Sequence, residues 1–375
     1  MSPLTWPLSV PVLTDGVVTL RAHAPADVPL MLETATDPEM VRWTAVPTPY
    51  GPSEATRFLA DVVQAGWDGD THRMWAVEVT DGDGHPRFAG DVVIRGRGVS
   101  TIGFSLHPTA RGHGTMAAAV RLAIMEAFSS GFTEAVHWQA HVGNLPSLRV
   151  AHACGFRLLA EVPGLLFERG RLIDGWLGVV LFGDPLYPRQ PWRDDTVLTT
   201  RTRTGRELVL RAPSGDDVTR LSETFADPAT RHWLVDKPHD VPGTRTAVAR
   251  WWWRAATGQV ATWIVADAGS DAALGEICVM DLHGIDPTSG EVGYAVHPDS
   301  RGQGVASAAL EVVVAHALDP GGLDRRRLTA AAAVGNTASL AALRGAGFTP
   351  TGRQTAAEPL GDGTHADLDE LELLR

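Results

Sequence analysis

A chain of 375 residues that is 44% hydrophobic has enough apolar material for two or three ordinary cores, so disorder is not its default state. Its formal net charge of −12 disfavours nucleic acid as a partner, because a phosphate backbone wants a basic face, and an acidic surface steers cations inward. Its two cysteines, Cys154 and Cys278, lie too far apart for a disulfide framework or a Cys-rich zinc site, and read as small buried hydrophobes of a reducing compartment.

The first sixteen residues lack a basic start followed by an unbroken apolar run, and no later stretch is long and apolar enough to cross a bilayer, so the expectation is a soluble, cytoplasmic protein. The first strand is expected around Val17 to Arg21, followed by a helix from the Asp-rich "ADVPLMLETA" and a second helix from Ser53 to Gln64. Alternating patterns then predict strands at "RMWAVEVTD", "RFAGDVVIRG" and "STIGFSLHP". Next come the decapeptide "HPTARGHGTM" from His107, an apolar helix from Met116 to Phe128, the strand "AVHWQAHV", a helix ending at Gly155–Phe156, and closing strands. Pro and Arg crowd "GDPLYPRQPWRDD" from Gly183, which reads as a linker.

Beyond the linker the same order returns. "LRAPSGDDV" from Leu210 repeats "LRAHAPADV" from Leu20, "DPATRHW" from Asp227 repeats "DPEMVRW" from Asp37, and "HPDSRGQGVA" from His297 repeats the decapeptide, each 190 residues later. "NTASLAALRGAGF" from Asn336 repeats "NLPSLRVAHACGF" from Asn144 with the offset grown to 192. Duplication of a whole domain accounts for this, since the spacing is far longer than a short structural repeat. The expected boundaries are 1–185 and 206–375, with 186–205 as linker. The fold class is α+β, each copy a mixed, mostly antiparallel sheet with helices on both faces.

In each copy Arg-Gly-x-Gly lies between an apolar strand and an apolar helix. Glycines let such a turn close tightly and let a ligand approach the main chain, while the unpaired amides and the helix dipole suit a pyrophosphate. A Walker A loop is excluded because no Gly-Lys-Ser/Thr follows. A dinucleotide turn would need Gly302, Gly304 and Ser307 to stand in the first βα unit, which they do not. Fourteen histidines supply no metal-ligand spacing, and His137 and His141, four apart on a strand, sit about 13 Å from each other, so no metal is expected.

Both copies resemble the GCN5-related N-acetyltransferases, especially the branch that acetylates ribosomal-protein alanines. The coenzyme A signature of that family, Q/R-x-x-G-x-G/A, is met by Arg301, Gly302, Gln303, Gly304, Val305 and Ala306. In the first copy it is met by Arg111, Gly112, His113, Gly114 and Thr115, with Met116 as a mild departure. The second signature is met by Asn336 and Ser339 with Gly347–Phe348, and by Asn144 and Ser147 with Gly155–Phe156. The resemblance implies acetyl-CoA as cofactor and direct attack by a primary amine, from a small molecule or a protein N-terminus, in a ternary complex. It also implies Glu291 as base, Ser339 and Tyr294 as hydroxyl donors toward the departing thiolate, and Val296 and Asn336 as contacts of the pantetheine arm.

In the first copy Thr101 and Phe104 replace Glu291 and Tyr294, so that copy is expected to keep the coenzyme A loop while catalysis falls mainly to the second. Asp91 is a carboxylate that can substitute from another strand. The run Trp251–Trp252–Trp253 either walls the acceptor groove or packs the copies together, and Trp43 and Trp233 are expected to line the acceptor pocket. The alternative reading is a noncatalytic acyl-CoA-binding regulator or scaffold. A monomer with pseudo-dimeric halves and a homodimer both remain open.

Overall fold

The computed structural model of the chain describes residues 10–193 and 195–375. It divides into two compact units, Met1–Arg189 and Gln190–Arg375. In the first, the strands are β1 (Leu13–Thr14), β2 (Val18–Arg21), β3 (His72–Thr80), β4 (Pro86–Arg95), β5 (Gly98–Leu106), β6 (Thr133–His141), β7 (Arg157–Glu168) and β8 (Arg171–Leu181). Its helices are α1 (Val28–Thr36), α2 (Pro38–Trp43), α3 (Pro52–Phe58), α4 (Ala65–Asp68), α5 (Thr115–Ser129) and α6 (Leu145–Ala153), with a π-helical stretch Leu59–Gln64 joining α3 to α4. The second unit repeats this with β9 (Leu198–Arg201), β10 (Glu207–Arg211), β11 (Ala261–Asp267), β12 (Ala273–Met280), β13 (Ser289–Val296), β14 (Arg327–Ala333), β15 (Thr349–Pro359) and β16 (His365–Leu374). Its helices are α7 (Val218–Ala226), α8 (Pro228–Trp233), α9 (Val241–Ala256), α10 (Val305–Leu318) and α11 (Thr337–Gly345).

The sheet orders are β1-β2-β3-β4-β5-β6-β8-β7 and β9-β10-β11-β12-β13-β14-β16-β15. All neighbours are antiparallel except β5 with β6 and β13 with β14, where the intervening helix α5 or α10 carries the crossover. Each unit is thus α+β with a mixed, mostly antiparallel sheet. In the second, α10 and α11 pack on one face around Trp263, Ile277 and Leu328. On the other, α7 and α9 pack around Ile264, Ala266 and Ala295. The stretch expected as linker, 186–205, contains β9, which pairs with β10 as the edge of the second sheet.

The first helix of each unit stands where expected, and a short helix that was not expected, α2 or α8, follows it. Asp37 and Asp227 separate the two with ψ of 131° and 130°, and each caps the short helix by accepting from the amide of Met40 or Thr230. The repeated "LRA" and "D" positions form a matched brace. Arg21 is bidentate to Asp27 at 2.8 Å, and Arg211 to Asp217 at 2.9 Å, locking the end of β2 or β10 to the start of α1 or α7. Trp251 and Trp252 pack within their own unit: Trp251 lies edge-on to Phe225, and the Trp252 indole donates to the Pro213 carbonyl. Cys154 and Cys278 are both buried and free, and burial pushes each thiol up to about 12.

Candidate active site

The parallel ladders break off early. β13 pairs with β14 only from Ser289 to Glu291, and β5 with β6 only from Gly98 to Ile102, so the ends of these strands part and open a gap in each sheet. A glycine on the neighbouring strand allows the distortion. Gly275 packs so closely on β13 that a side chain there would overlap the Ala295 carbonyl oxygen, and Gly90 stands the same way against Ser105. Nothing in the sequence reading singled out these two glycines. A glycine inside an otherwise apolar strand was the available signal.

The glycine turn sits at the end of each parted strand. Gly302 and Gly304 have φ of 71° and 79°, Gly112 and Gly114 84° and 75°, all left-handed. The first intrahelical bond of α10 runs from Ala308 to Gly304, and that of α5 from Ala118 to Gly114. The amides of Gly302 to Ala306 therefore precede the ladder, as do those of Gly112 to Met116. The turns are open: a β-carbon on Gly302, Gly112 or Gly114 would meet nothing within 4 Å, and on Gly304 only Thr202 at 3.8 Å. His113 and Gln303 are exposed, and Val305 and Thr115 are buried, so the last two offer amides rather than side chains.

The arginines of the signature have structural partners. Arg301 Nη2 reaches Asp227 and Thr230 at 2.6 Å while its Nε donates to the Val296 carbonyl at 3.3 Å. Arg111 does the same with Asp37 at 2.7 Å and the Leu106 carbonyl at 3.2 Å. Burial alone would raise the Asp227 carboxyl, but Arg301 and the Thr230 amide outweigh it and hold it below the usual range. These side chains tie the turn to the cap of α2 or α8, and the main chain is what the turn presents. His107 and His297 add a second tie: each is buried, with Nε2 3.1 Å from Glu33 and 3.3 Å from Glu223 respectively.

Strand alternation assigns the candidate catalytic groups to opposite faces of the second sheet. Ala295 belongs to the core under α7 and α9, so Glu291 and Gly293 share that face; Val292, Tyr294 and Val296 face α10 and α11. Glu291 is the last residue paired to β14, opposite Thr329, and crowding by the protein together with the charge of Asp281 raises its carboxyl. On the other face the Tyr294 hydroxyl lies 2.9 Å from Ser339 Oγ. Asn336 caps α11 by accepting from the Ser339 amide at 3.1 Å, and Asn144 caps α6 from Ser147 at 3.2 Å. In the first unit the Ser147 hydroxyl accepts from the Trp138 indole at 3.0 Å instead of meeting a tyrosine.

On the α1–α3 face the first unit has a cavity of about 500 Å³ that continues through the strand gap to Asn144 and Ser147. The loop between α2 and α3 contributes Thr44, Val46 and Tyr50 to its wall, and Trp43 lines it edge-on to His141. Asp91 also lines it, held 2.6 Å from Nε2 of the fully buried His23. In the second unit the matching ladder position is Glu276, buried and paired at 2.9 Å with Lys237, the only lysine of the chain. The ammonium lies over the Phe225 and Trp251 rings. Desolvation alone would lower it, yet the charge of Glu276 prevails and keeps it protonated above the usual value. Trp233 stands apart from this pair, against His232 and Gly335.

Two copies of one α+β unit, each with an amide-lined glycine turn beside parted parallel strands, define an acyltransferase scaffold built twice. The family described as acetyltransferase (GNAT) domain matches residues 18–157 and again 207–349, and the chain belongs to that family. Similar solved structures include Mycobacterium smegmatis RimJ in complex with CoA-disulfide, 22% identical with a TM-score of 0.44, covering 49% of this chain and 90% of that one. A GNAT-family acetyltransferase from Bacillus anthracis is 18% identical with a TM-score of 0.40, covering 47% and 98%. RimL, a ribosomal L7/L12 alpha-N-protein acetyltransferase in complex with coenzyme A, is 24% identical with a TM-score of 0.41, covering 44% and 93%. No curated protein matches the chain. No helix among the described residues is long and apolar enough to cross a membrane.

Proposed function

We propose that the chain is an acetyl-CoA-dependent N-acetyltransferase whose second unit acetylates a primary amine by direct attack, with a coenzyme A site in each unit. The observation that carries this is the placement of Glu291 on one face of the parted strands and the Tyr294–Ser339 pair on the other. The open turn and its unspent amides fit a diphosphate, as Gly302 and Gly304 leave the approach to the main chain clear. Acetyl-CoA, when bound, supplies the activated acetyl thioester.

The chain's own groups do the rest. Amides of Gly302, Gln303, Gly304, Val305 and Ala306 hold the diphosphate, with Arg301 fixing the turn, and main chain near Val296 and the side chain of Asn336 line the arm. An acceptor ammonium must lose a proton before it can attack, since amines titrate near 8 to 10. Glu291 is placed to take that proton, directly or through water, and its raised carboxyl brings its basicity nearer the working pH. Tyr294 and Ser339 together offer a hydroxyl proton to the leaving sulfur on the opposite face. In the first unit Gly112, His113, Gly114 and Thr115 provide the equivalent turn.

Native mass spectrometry of the full chain with coenzyme A tests the reading, combined with thiol release from acetyl-CoA across an amine panel. Two molecules are expected per chain, falling to one in Gly112→Val and in Gly302→Val, because a β-branched residue cannot hold a left-handed φ without distorting the turn. A chain that ignores coenzyme A at millimolar concentration overturns the proposal. Binding without thiol release for any amine leaves a noncatalytic acyl-CoA-binding protein.

A further inference from the structure

The acceptor-side faces of the two sheets share a scaffold and differ in chemistry. In the first, β4 presents Asp91, Val93 and Arg95, opposed on β5 by Ser105, Gly103 and Thr101. Gly103 has no side chain, and Arg95 uses the space: its Nη1 lies 2.9 Å from the point where a β-carbon of residue 103 would stand. The guanidinium has therefore leaned along the strand from its own row to the next, leaving one row, about 7 Å by strand rise, between it and Asp91.

Arg95 lines the 500 Å³ cavity, and among the described residues it has neither an ion-pair nor a hydrogen-bond partner. Arg95 is an exposed residue, yet the protein around its side chain partly desolvates it, and with no compensating carboxylate this lowers its pKa. A planar fork of N–H donors left unspent on a cavity wall is matched by a carboxylate, which it can bind with two parallel bonds. The cavity also holds the acids an ammonium needs. Asp91, which accepts from Ser105 at 3.2 Å and stands 2.6 Å from His23, and Glu168, 3.1 Å from His141, have side chains only 13% and 18% exposed. Met31, Met40 and Met74 supply apolar wall.

The second sheet differs at the positions of Arg95, Asp91 and His141. Met280 takes the place of Arg95, with its Cε 3.2 Å from the β-carbon position of Gly293, and Glu276 in place of Asp91 is closed off by Lys237. On β14, Ala331 and Ala333 stand where β6 has Gln139 and His141.

We propose that the first unit is a second acceptor site, selective for an apolar amine that also bears a carboxylate, with Arg95 over Gly103 receiving the carboxylate and Asp91 and Glu168 facing the ammonium. The second unit, with Met280 in that place, does not share the preference. Acetylation of that amine, with Asp91 serving in place of the base that the first unit lacks at Thr101, rests on the acetyltransferase reading; the binding itself does not.

Calorimetry on the full chain, with and without saturating coenzyme A, tests it using phenylalanine, methionine and leucine, each beside the amine lacking its carboxylate. At least one amino acid is expected to bind ten-fold or more tightly than its decarboxylated partner. Arg95→Met removes that advantage, Arg95→Lys restores part of it, and both variants titrate coenzyme A at the wild-type stoichiometry, which reports an intact fold. The proposal is overturned if no amino acid outbinds its amine, or if Arg95→Met keeps the preference. Should coenzyme A fail to bind while an Arg95-dependent preference persists, the acetyltransferase reading falls and the site stands.

Discussion

Glu291 sits where two demands on one carboxylate conflict. Its position at the last paired step of β13 puts it beside the gap, and the same crowding that raises its carboxyl penalises the charged form needed for proton removal. A folded-state value above the usual 4.5 means the folded chain binds the proton more tightly than the unfolded one. The stability this gives is full below the ordinary glutamate range and is lost as pH rises through the raised value. Glu291→Gln is therefore expected to lower kcat by about 10²–10⁴-fold. The same variant melts higher than the wild type at pH 8 and level with it at pH 4 in thermal scans. A variant that loses activity and also melts lower at pH 8 would point to a structural role for the carboxylate.

At the scale of elements, the parted strands depend on main chain that nothing crowds. Gly90 pairs with Leu106 while its α-carbon sits against the Ser105 carbonyl, and Gly275 repeats this against Ala295. A methyl group at either place forces β4 from β5, or β12 from β13, at a cost of about 1–3 kcal/mol. It also moves the strand whose end carries the glycine turn. Gly275→Ala should lower stability by that amount in urea unfolding and weaken coenzyme A binding at the second unit alone, whereas an exposed change such as Gly82→Ala, with nothing within 4 Å, should do neither. The braces Arg21–Asp27 and Arg211–Asp217 act at the same scale, fixing the first helix of each unit to the end of β2 or β10.

For the whole molecule, duplication has produced two units that each contain an eight-stranded sheet, and no strand among the described residues is shared between the two sheets. Each also buries a tryptophan-centred core, around Trp75 and Trp138 in the first and Trp263 in the second. Residues 10–189 and 190–375 expressed separately are expected to unfold cooperatively as independent domains, followed by circular dichroism against temperature. If neither half folds alone, the units depend on each other for stability. Once the two turns are matched, the acceptor faces are free to diverge, and Arg95 against Met280 is where the divergence is plainest.

The sequence by itself determined the architecture, because periodicity and spacing are properties of neighbours along the chain. The duplicated decapeptides, the paired Asn-x-x-Ser signatures and the strand and helix patterns placed most elements within a few residues. The short helices after Asp37 and Asp227 were the clearest miss, since six residues behind a capping aspartate carry too little periodicity to read as an element. What only the tertiary structure decided is which groups meet. The arginines of the glycine signature turned out to hold the cap aspartates 74 residues earlier in the chain, and Lys237 to close on Glu276 from a loop with no readable pattern. The meaning of Arg95 depends on the missing side chain of Gly103 across the ladder, and an absence on a neighbouring strand leaves no mark in the local sequence.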